Sequence, residues 1–393
     1  MDRTQMMQVL AKDLIDWRRR FHRSPEISNH EEQTADFIAA ELTKMGVTYQ
    51  TYQEHFGLCA TIIGALPGPV IAFRADMDAL PIQEENEVEY RSLRPQVMHA
   101  CGHDGHMAIL LGLVKLFAAA KDTLAGTVKF IFQPAEEASP VGGAELFMAS
   151  GILDDVSAIF GLHMWPDLPC GQIGLRPGAL MAASDRLTIE LEGQGAHAGQ
   201  PHHGVDAIMV AADVMQGISQ IVSRQLNPLE TATISIGKIS GGERYNVIAR
   251  KVTLEGTVRT LDESVRLEIP ERLERLLAGF TAAQGASYHL DYQRGYPILM
   301  NWPEPTRLAT EAAEAIIGQQ NVQSNVKPVL AAEDFGRYLT KYPGAFFWLG
   351  CGKSGEKNYS LHSPRFDMDE ASLAIGAEIL YETGLKALAF YNK

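Results

Sequence analysis

The residues with the clearest chemical potential lie in one stretch, Met98-His99-Ala100-Cys101-Gly102-His103-Asp104-Gly105-His106, directly before an apolar segment with helical spacing. Cys101 and His103 are too close to face one way on a helix, but Gly102 permits a turn that directs both side chains at one ion. Thiolate and imidazole are ligands of zinc and of neighbouring first-row metals. The alternative is an inert, buried Cys101 beside histidines that cap the next helix.

Further candidate ligands come at the ends of predicted strands, where open α/β sheets place their ligands. In the Glu136-Glu137 pair, one carboxylate can ligate a metal while its neighbour stays free to move a proton, as metal-assisted hydrolysis requires. His362 follows in a late loop after another predicted strand. The other positions are Asp76 and Asp78 after Val70–Ala75, Glu136 and Glu137 after Thr127–Gln133, and His163 at the end of Ala158–His163.

Length and composition bound the class of protein. The 393 residues exceed what one hydrophobic core usually serves, so we expect two domains. A formal net charge of −14 argues against nucleic acid or an anionic membrane as a partner. We expect neither a membrane span nor a signal peptide. The four cysteines lack the spacing of a disulfide framework, which indicates reduced thiols and a cytoplasmic location.

Helical and strand-like periodicities alternate over residues 1–183 and again over 297–393. Several strand-like runs are apolar throughout, which is typical of strands buried on both faces. We therefore expect one α/β domain with a mostly parallel sheet covered by helices. The expected helices are 5–22, 31–46, 105–120, 142–150, 304–318, 332–340 and one from Asp369, and the expected strands are Ala60–Ala65, Val70–Ala75, Thr127–Gln133, Ala158–His163 and Ala345–Gly350.

Residues 184–296 show a different order of elements, β-α-β-β-α-β, which is that of the ferredoxin-like motif. We expect them to form a smaller α+β domain inserted into the larger one. Its predicted elements are strand Arg186–Glu192, helix Asp206–Gln225, strands Thr231–Ile239 and Val247–Thr260, helix Ser264–Gln284 and strand Ser287–Arg294.

Seven short motifs follow one another along nearly the whole chain. They are Arg74-Ala75-Asp76-Met77-Asp78-Ala79-Leu80-Pro81, Met98-His99-Ala100-Cys101-Gly102-His103-Asp104, Gln133-Pro134-Ala135-Glu136-Glu137, Gly161-Leu162-His163-Met164-Trp165-Pro166, Gly193-Gln194-Gly195-Ala196-His197-Ala198, Ala332-Glu333-Asp334-Phe335 and His362-Ser363-Pro364. Their order resembles that of the N-acyl-amino-acid amidohydrolases. That family includes hippurate hydrolases, aminoacylases, N-acetyl-diaminopimelate deacetylases and plant auxin-conjugate hydrolases.

The resemblance implies roles for individual residues of the larger, catalytic domain. Glu136 is expected to be the general base that activates water and later protonates the leaving amine. Asp78 matches a carboxylate that orients a ligand, and Asp76 is interpreted as structural support. The implied ligands of two divalent ions (Zn, Mn, Co or Ni) are Cys101 as the bridge, His103, Glu137, His163 and His362.

In the smaller domain the resemblance singles out His197. The matching histidine of the family reaches the active site of the other subunit and stabilises the tetrahedral oxyanion, which implies a homodimer or dimer of dimers formed through this domain. Asn246 matches a position near the substrate, although Ala249 stands where the family usually has proline. The histidines interpreted as structural are His22, His30, His55, His99, His106, His202, His203 and His289.

These observations predict a metal-dependent amidohydrolase that cleaves small N-acyl-amino acids to a carboxylate and a free amino acid. Within the enzyme class, a dedicated deacetylase of N-acetyl-diaminopimelate and a small peptidase remain alternatives. A third alternative is a metal-binding relative without turnover. The presence of Glu136 argues against it, because such a relative is expected to lose the base first.

Overall fold

The computed structural model describes residues 3–392 and divides the chain into two compact units. The larger unit comprises Met1–Leu180, Met300–Lys327 and Asp334–Lys393, and the smaller comprises Met181–Leu299 and Pro328–Glu333. The last of these segments was not expected in the smaller unit. It joins because Val329 pairs with Met181 and the Ala331 carbonyl accepts the N–H of Ala182.

The larger unit is built on an eight-stranded mixed sheet with the order β1-β2-β4-β3-β5-β14-β6-β13. The four central strands, β4 to β14 in that order, are parallel, while β2 and β6 run antiparallel to their central neighbours. The expected mostly parallel sheet is therefore confirmed for the centre. The strands are β1 (Thr48–Thr51), β2 (Leu58–Ile63), β3 (Leu66–Asp76), β4 (Ala125–Gln133), β5 (Val156–Pro169), β6 (Ile173–Gly174), β13 (Val322–Gln323) and β14 (Gly344–Gly352).

Helices cover this sheet and supply the remainder of the core. Gly384 in the last helix lies directly against Phe73 and Phe117, since a Cβ there would come within 2.9 Å of both rings. Close packing of this kind explains the apolar faces of the long helices. The helices are α1 (Arg3–Arg23), α2 (Glu32–Lys44), α3 (His103–Ala120), α4 (Ala144–Ala149), α7 (Pro303–Ile317), α8 (Phe335–Leu339) and α9 (Ala371–Tyr391).

The smaller unit has the expected β-α-β-β-α-β order and an antiparallel sheet with the order β11-β8-β10-β9. Asp206 and Asp262 cap its two helices by accepting main-chain N–H groups of their first turns. The elements are β8 (Ala183–Glu192), α5 (Ala207–Gln220), β9 (Ala232–Gly241), β10 (Lys251–Thr260), α6 (Glu263–Gln284) and β11 (Ser287–Tyr296). Two further strands, β7 (Gly178–Met181) and β12 (Leu299–Asn301), pair with each other.

Several predicted elements are shorter in the structure, and the helix predicted over Asp206–Gln225 is an α-helix only as far as Gln220. The strand predicted over Val247–Thr260 begins only at Lys251, because Ile248 donates its N–H to Ala196 instead of to a sheet neighbour. The helix predicted over 332–340 is reduced to Phe335–Leu339. Among the described residues, no helix combines the length and the apolar character needed to cross a membrane.

Candidate active site

The five predicted metal ligands of the larger unit lie together, and the sulfur atom of Cys101 is common to the contacts among them. Sγ of Cys101 is 3.4 Å from Nε2 of His163 and 3.3 Å from Nε2 of His362. Nε2 of His362 is in turn 3.2 Å from Oε1 of Glu137. Two groups of potential ligands share Cys101, one with His103 and His163 and one with Glu137 and His362, and the ligand atoms of each group lie within 4.8 Å of one another. Tetrahedral nitrogen and sulfur ligands of one zinc ion are about 3.5 Å apart, so these separations suit metal binding.

Backbone conformation brings these side chains together. Gly102 has a φ of 86°, and a Cβ at this position would lie 3.0 Å from Cβ of Met164. The turn that directs Cys101 and His103 to one place therefore requires glycine. The backbone of His362 is also in the left-handed region, with a φ of 63°, and its N–H donates to the Ala100 carbonyl over 2.8 Å.

The placement of His163 differs from the sequence prediction. It lies within β5 and opposite Trp348 of β14, not at the end of its strand. The prediction was wrong because β5 continues to Pro169 alongside β14, which also carries a register shift between Gly350 and Gly352.

Hydrogen bonds define which nitrogen of each buried histidine is available to a metal. Nδ1 of His163 donates to the Met164 carbonyl, and Nδ1 of His103 donates to the Asp78 carbonyl, each over 2.8 Å. In the neutral ring this leaves Nε2 as the lone-pair atom. Nε2 of His103 and Oε1 of Glu137 are both buried and make no hydrogen bond to a described residue, although Nε2 of His362 lies 3.2 Å from the latter. Each of these two atoms can therefore donate a lone pair to a cation.

The charges of the site agree with that assignment. Burial alone would lower the pKa of His103, but the carboxylates of Asp76 and Asp78 outweigh it and raise that pKa to about 10. Burial, reinforced by the neighbouring His106, lowers the pKa of His163 well below its ordinary value. The carboxylates that favour a proton on His103 would equally favour a divalent cation there, which would displace that proton, while the neutral ring of His163 can ligate without losing one.

Asp78 organises the turn that carries the two glutamates. Its Oδ1 accepts the N–H of Glu136 at 3.1 Å and its Oδ2 accepts the N–H of Glu137 at 2.9 Å. Burial would raise the pKa of Asp78, but its interactions with His103 and the Ser28 hydroxyl lower it. The ionised carboxylate thus fixes the turn that carries the two glutamates. Asp78 also contacts the His103 ring, because its main-chain carbonyl accepts the proton on Nδ1 of His103.

Comparisons with known proteins place the chain in a family. Residues 72–386 match the model of Peptidase family M20/M25/M40. The chain belongs to this family. It is 41% identical over 370 residues to a putative amidohydrolase, YhaA, of Bacillus subtilis (strain 168), covering 94% of this chain and 93% of the relative.

Two further relatives extend the comparison. An N-acyl-L-amino acid amidohydrolase of Geobacillus stearothermophilus is 43% identical over 300 residues, which cover 76% of this chain and 81% of that relative. The Bacillus subtilis YXEP protein, described as a dinuclear metal binding peptidase from the M20 family, has a solved structure that superposes with a TM-score of 0.85 at 34% identity, covering 97% of this chain and 99% of its own.

In this M20 chain, sequence reasoning missed a buried network around Arg74. Its guanidinium donates to Asp76 at 2.7 Å, to Asp334 at 2.6 Å and to Gln133 at 2.9 Å. The N–H of Asp334 donates to Oε1 of Glu136 at 3.3 Å. The motif Ala332-Glu333-Asp334-Phe335 was the available signal, but nothing in the sequence connects it with Arg74.

The smaller unit brings its own two predicted residues together. His197 pairs with Val247 in an isolated bridge, and the N–H of Ala198 donates to the Asn246 carbonyl at 3.1 Å. The His197 side chain is exposed, and its Nδ1 accepts the N–H of Gly199 at 3.0 Å. In the neutral ring the proton is therefore on Nε2, which makes that atom a hydrogen-bond donor.

Proposed function

We propose that this protein is a dinuclear metal-dependent amidohydrolase that cleaves N-acyl-amino acids into a carboxylate and a free amino acid. Family membership makes the chain a hydrolase that acts on amide bonds. The observation that carries the proposal is the pair of ligand groups sharing Cys101, with Glu136 beside them on the same turn as Glu137. The relative named as an N-acyl-L-amino acid amidohydrolase supports the substrate class.

The proposed ligands of the two ions are Cys101, His103, Glu137, His163 and His362. The thiolate of Cys101 would be shared by both ions, since it belongs to both ligand groups. When bound, divalent ions lower the pKa of water towards roughly 7 and polarise a carbonyl oxygen. The mixed thiolate, imidazole and carboxylate set suits zinc, manganese, cobalt or nickel.

Glu136 is proposed as the general base. Glu136 is 6% exposed, and the Asp334 N–H that donates to Oε1 orients the carboxylate. Glu137 differs from it, because Oε1 of Glu137 faces Nε2 of His362 at 3.2 Å. Adjacent glutamates that point to different partners support the division between proton transfer and metal binding. Glu136 would take a proton from water and deliver it to the leaving amine.

His197 is proposed to stabilise the tetrahedral oxyanion in the other subunit of a homodimer formed through the smaller unit. Its Nε2–H supplies the hydrogen-bond donor that this role needs. Asn246 is proposed to contact the substrate from the neighbouring loop. Its Oδ1 is buried and makes no hydrogen bond to any described residue. The cytoplasmic location and the absence of nucleic acid or membrane partners stay predictions from composition.

The test is a mass-spectrometric screen of amide hydrolysis. Acetyl, benzoyl, long-chain acyl and indole-acetyl amino acids are supplied with manganese, zinc or cobalt, together with N-acetyl-diaminopimelate and dipeptides. We expect turnover of acyl-amino acids that depends on metal and is lost in Glu136→Gln. Turnover confined to N-acetyl-diaminopimelate or to dipeptides would replace the proposal with a dedicated deacetylase or a peptidase. No turnover of any amide by metal-loaded protein would contradict it.

A further inference from the structure

The segment before α2 lies against the turn that carries the two glutamates. Ile27 pairs with Ala79 in a parallel bridge, and the N–H of Ala79 donates to the Glu26 carbonyl at 2.7 Å. The Ser28 hydroxyl donates to Oδ2 of Asp78 at 2.6 Å. This segment therefore reaches the candidate active site, although it contains none of the predicted ligands.

Two buried carboxylates hold three consecutive main-chain N–H groups of the turn. Glu31 accepts the N–H of Ala135 at 2.9 Å, and Asp78 accepts those of Glu136 and Glu137. The same Oε1 of Glu31 also accepts the N–H of Asn29 at 3.0 Å. Glu31 is 0% exposed, so its link to Ala135 is shielded from water.

Ala135 has an unfavourable backbone conformation, with a φ of 58°. A Cβ-bearing residue adopts the left-handed region at a cost, and it stays there only when surrounding contacts demand it. The hydrogen bond to Glu31 is such a contact, because it is made by the N–H of Ala135 itself. The next residue along the chain is Glu136.

We propose that Glu31 is a positioning residue: it holds Ala135 in the left-handed conformation and thereby aims the Glu136 carboxylate. The inference rests on the proposed function insofar as Glu136 is the base. What Glu31 contributes is an acceptor oxygen for the Ala135 N–H. Its second oxygen, Oε2, is buried and makes no hydrogen bond to any described residue. Replacing Oε2 by the NH2 group of glutamine therefore breaks no hydrogen bond, and the remaining oxygen can still accept the N–H of Ala135.

The test compares variants at position 31 with a neighbouring control. Glu31→Gln keeps an acceptor oxygen, Glu31→Ala removes it, and Glu32→Ala changes an exposed carboxylate one residue away. We expect Glu31→Ala to lower kcat roughly 10- to 100-fold, the scale of a misplaced catalytic group, with KM and bound metal little changed. Glu31→Gln should keep kcat within about threefold of the wild type, because a single uncharged acceptor suffices. The control should behave as the wild type.

A second comparison uses the Ala135→Gly background. Glycine adopts positive φ without the steric cost, so the loss caused by Glu31→Ala should be several times smaller there. If Glu31→Ala lowers kcat by the same factor with alanine and with glycine at position 135, the positioning role is overturned. Full activity of Glu31→Ala with alanine at position 135 would overturn it as well. A general loss of folding would instead appear in the melting curves and would affect both backgrounds alike.

Amide exchange gives a readout that needs no activity. In the wild type we expect protection of the amides of residues 135–137, and in Glu31→Ala faster exchange confined to this turn, with Glu31→Gln protected. Unchanged exchange in Glu31→Ala would also overturn the inference. If the wild-type protein hydrolyses no amide while the exchange pattern is as expected, the proposed function fails and the role of Glu31 in holding the turn stands.

Discussion

His106 donates its Nδ1 proton to Oδ1 of Asp76 over 2.6 Å, and this buried pair links two of the proposed metal ligands. On one side, Nε2 of His106 accepts the N–H of Met164, the residue after His163. On the other, Oδ2 of Asp76 is 3.5 Å from Nε2 of His103. The interpretation of His106 as structural therefore needs refinement, because its contacts lead directly to ligand positions.

The first prediction concerns this pair. Asp76→Asn removes the negative charge beside His103 and weakens the acceptor of His106, so metal affinity should fall roughly 10- to 100-fold, as for other partners of metal ligands. Titration of the metal-free protein with Mn²⁺ and Zn²⁺ measures this. Asp155→Asn, at an exposed partner of Lys129, is the control for loss of one carboxylate. Unchanged affinity in folded Asp76→Asn would show that Asp76 does not support the metal ligands.

The second prediction separates the two glutamates. Glu136→Gln should lower kcat by roughly 10²–10⁴-fold, the usual scale of general base catalysis, while bound metal stays near the wild-type ratio. Glu137→Gln should lose metal as well as rate, because the Glu137 carboxylate belongs to the ligand group with Cys101 and His362. Elemental analysis alongside kinetics distinguishes them. Near-normal turnover of Glu136→Gln at saturating metal would show that another group is the base.

The third prediction concerns the shared sulfur. Thiol reagents should modify Cys101 in the metal-free protein and so prevent its activation by added metal, whereas metal bound beforehand should protect Cys101, because coordination shields the thiolate. The other three cysteines should react little, because burial raises the pKa of Cys59 to about 12, that of Cys170 to about 11 and that of Cys351 well above its ordinary value. Mass spectrometry locates the modification. A Cys101→Ser protein that binds two metals and works normally would exclude Cys101 from the site.

The fourth prediction is a pH dependence of stability. Burial, reinforced by the charge of Asp78, raises the pKa of Glu31 from 4.5 to about 7 in the folded protein. Folded protein then binds the proton more tightly than unfolded protein, so the Glu31 carboxyl lowers stability as pH rises through 4.5–7. Glu31→Gln lacks this loss.

Melting temperatures of the metal-free proteins measure that difference. The melting temperature of Glu31→Gln minus that of the wild type should increase between pH 5 and pH 8, a window set by the raised pKa of Glu31. Glu32→Gln should melt in parallel with the wild type at every pH. A difference for Glu31→Gln that is flat or decreases with pH would mean that Glu31 has an ordinary pKa.

Sequence reasoning succeeded where the signal was local. Amphipathic and fully apolar periodicities located the central strands and the long helices, because each reports the burial of its own segment. Val247–Ile248 shows the limit. Apolar β-branched residues there indicate a strand, yet they pair with the loop at Ala196–His197. Only tertiary structure decides which partner such a segment finds.

The candidate active site shows the same contrast between local sequence signals and contacts made only in the tertiary structure. Cys101 and His103 could be predicted because their chemistry is concentrated in one motif. Glu31 could not, since its partner Ala135 is 104 positions away and the contact is made by a main-chain N–H. The left-handed φ of Ala135 has no sequence signal either, because alanine is not a residue that favours this region.

The last prediction tests whether His197 acts across a subunit interface. His197→Ala should lower kcat by roughly 10²–10³-fold, the scale seen when one oxyanion donor is lost. Metal content and melting temperature should stay near wild-type values, because the ring is exposed and the hydrogen bond that its Nδ1 accepts from the N–H of Gly199 lies within its own loop. His203→Ala, an exposed histidine six positions away, is the matched control.

Mixing variants then separates action within a chain from action between chains. A heterodimer of Glu136→Gln with His197→Ala has one site with both lesions and one with neither, provided that His197 acts on the partner. Two inactive parents should therefore regain up to about half the wild-type activity per heterodimer. If His197 acts within its own chain, each site keeps one lesion and the mixture stays inactive. Native mass spectrometry confirms subunit exchange, and exchange without recovered activity would contradict a site shared between subunits.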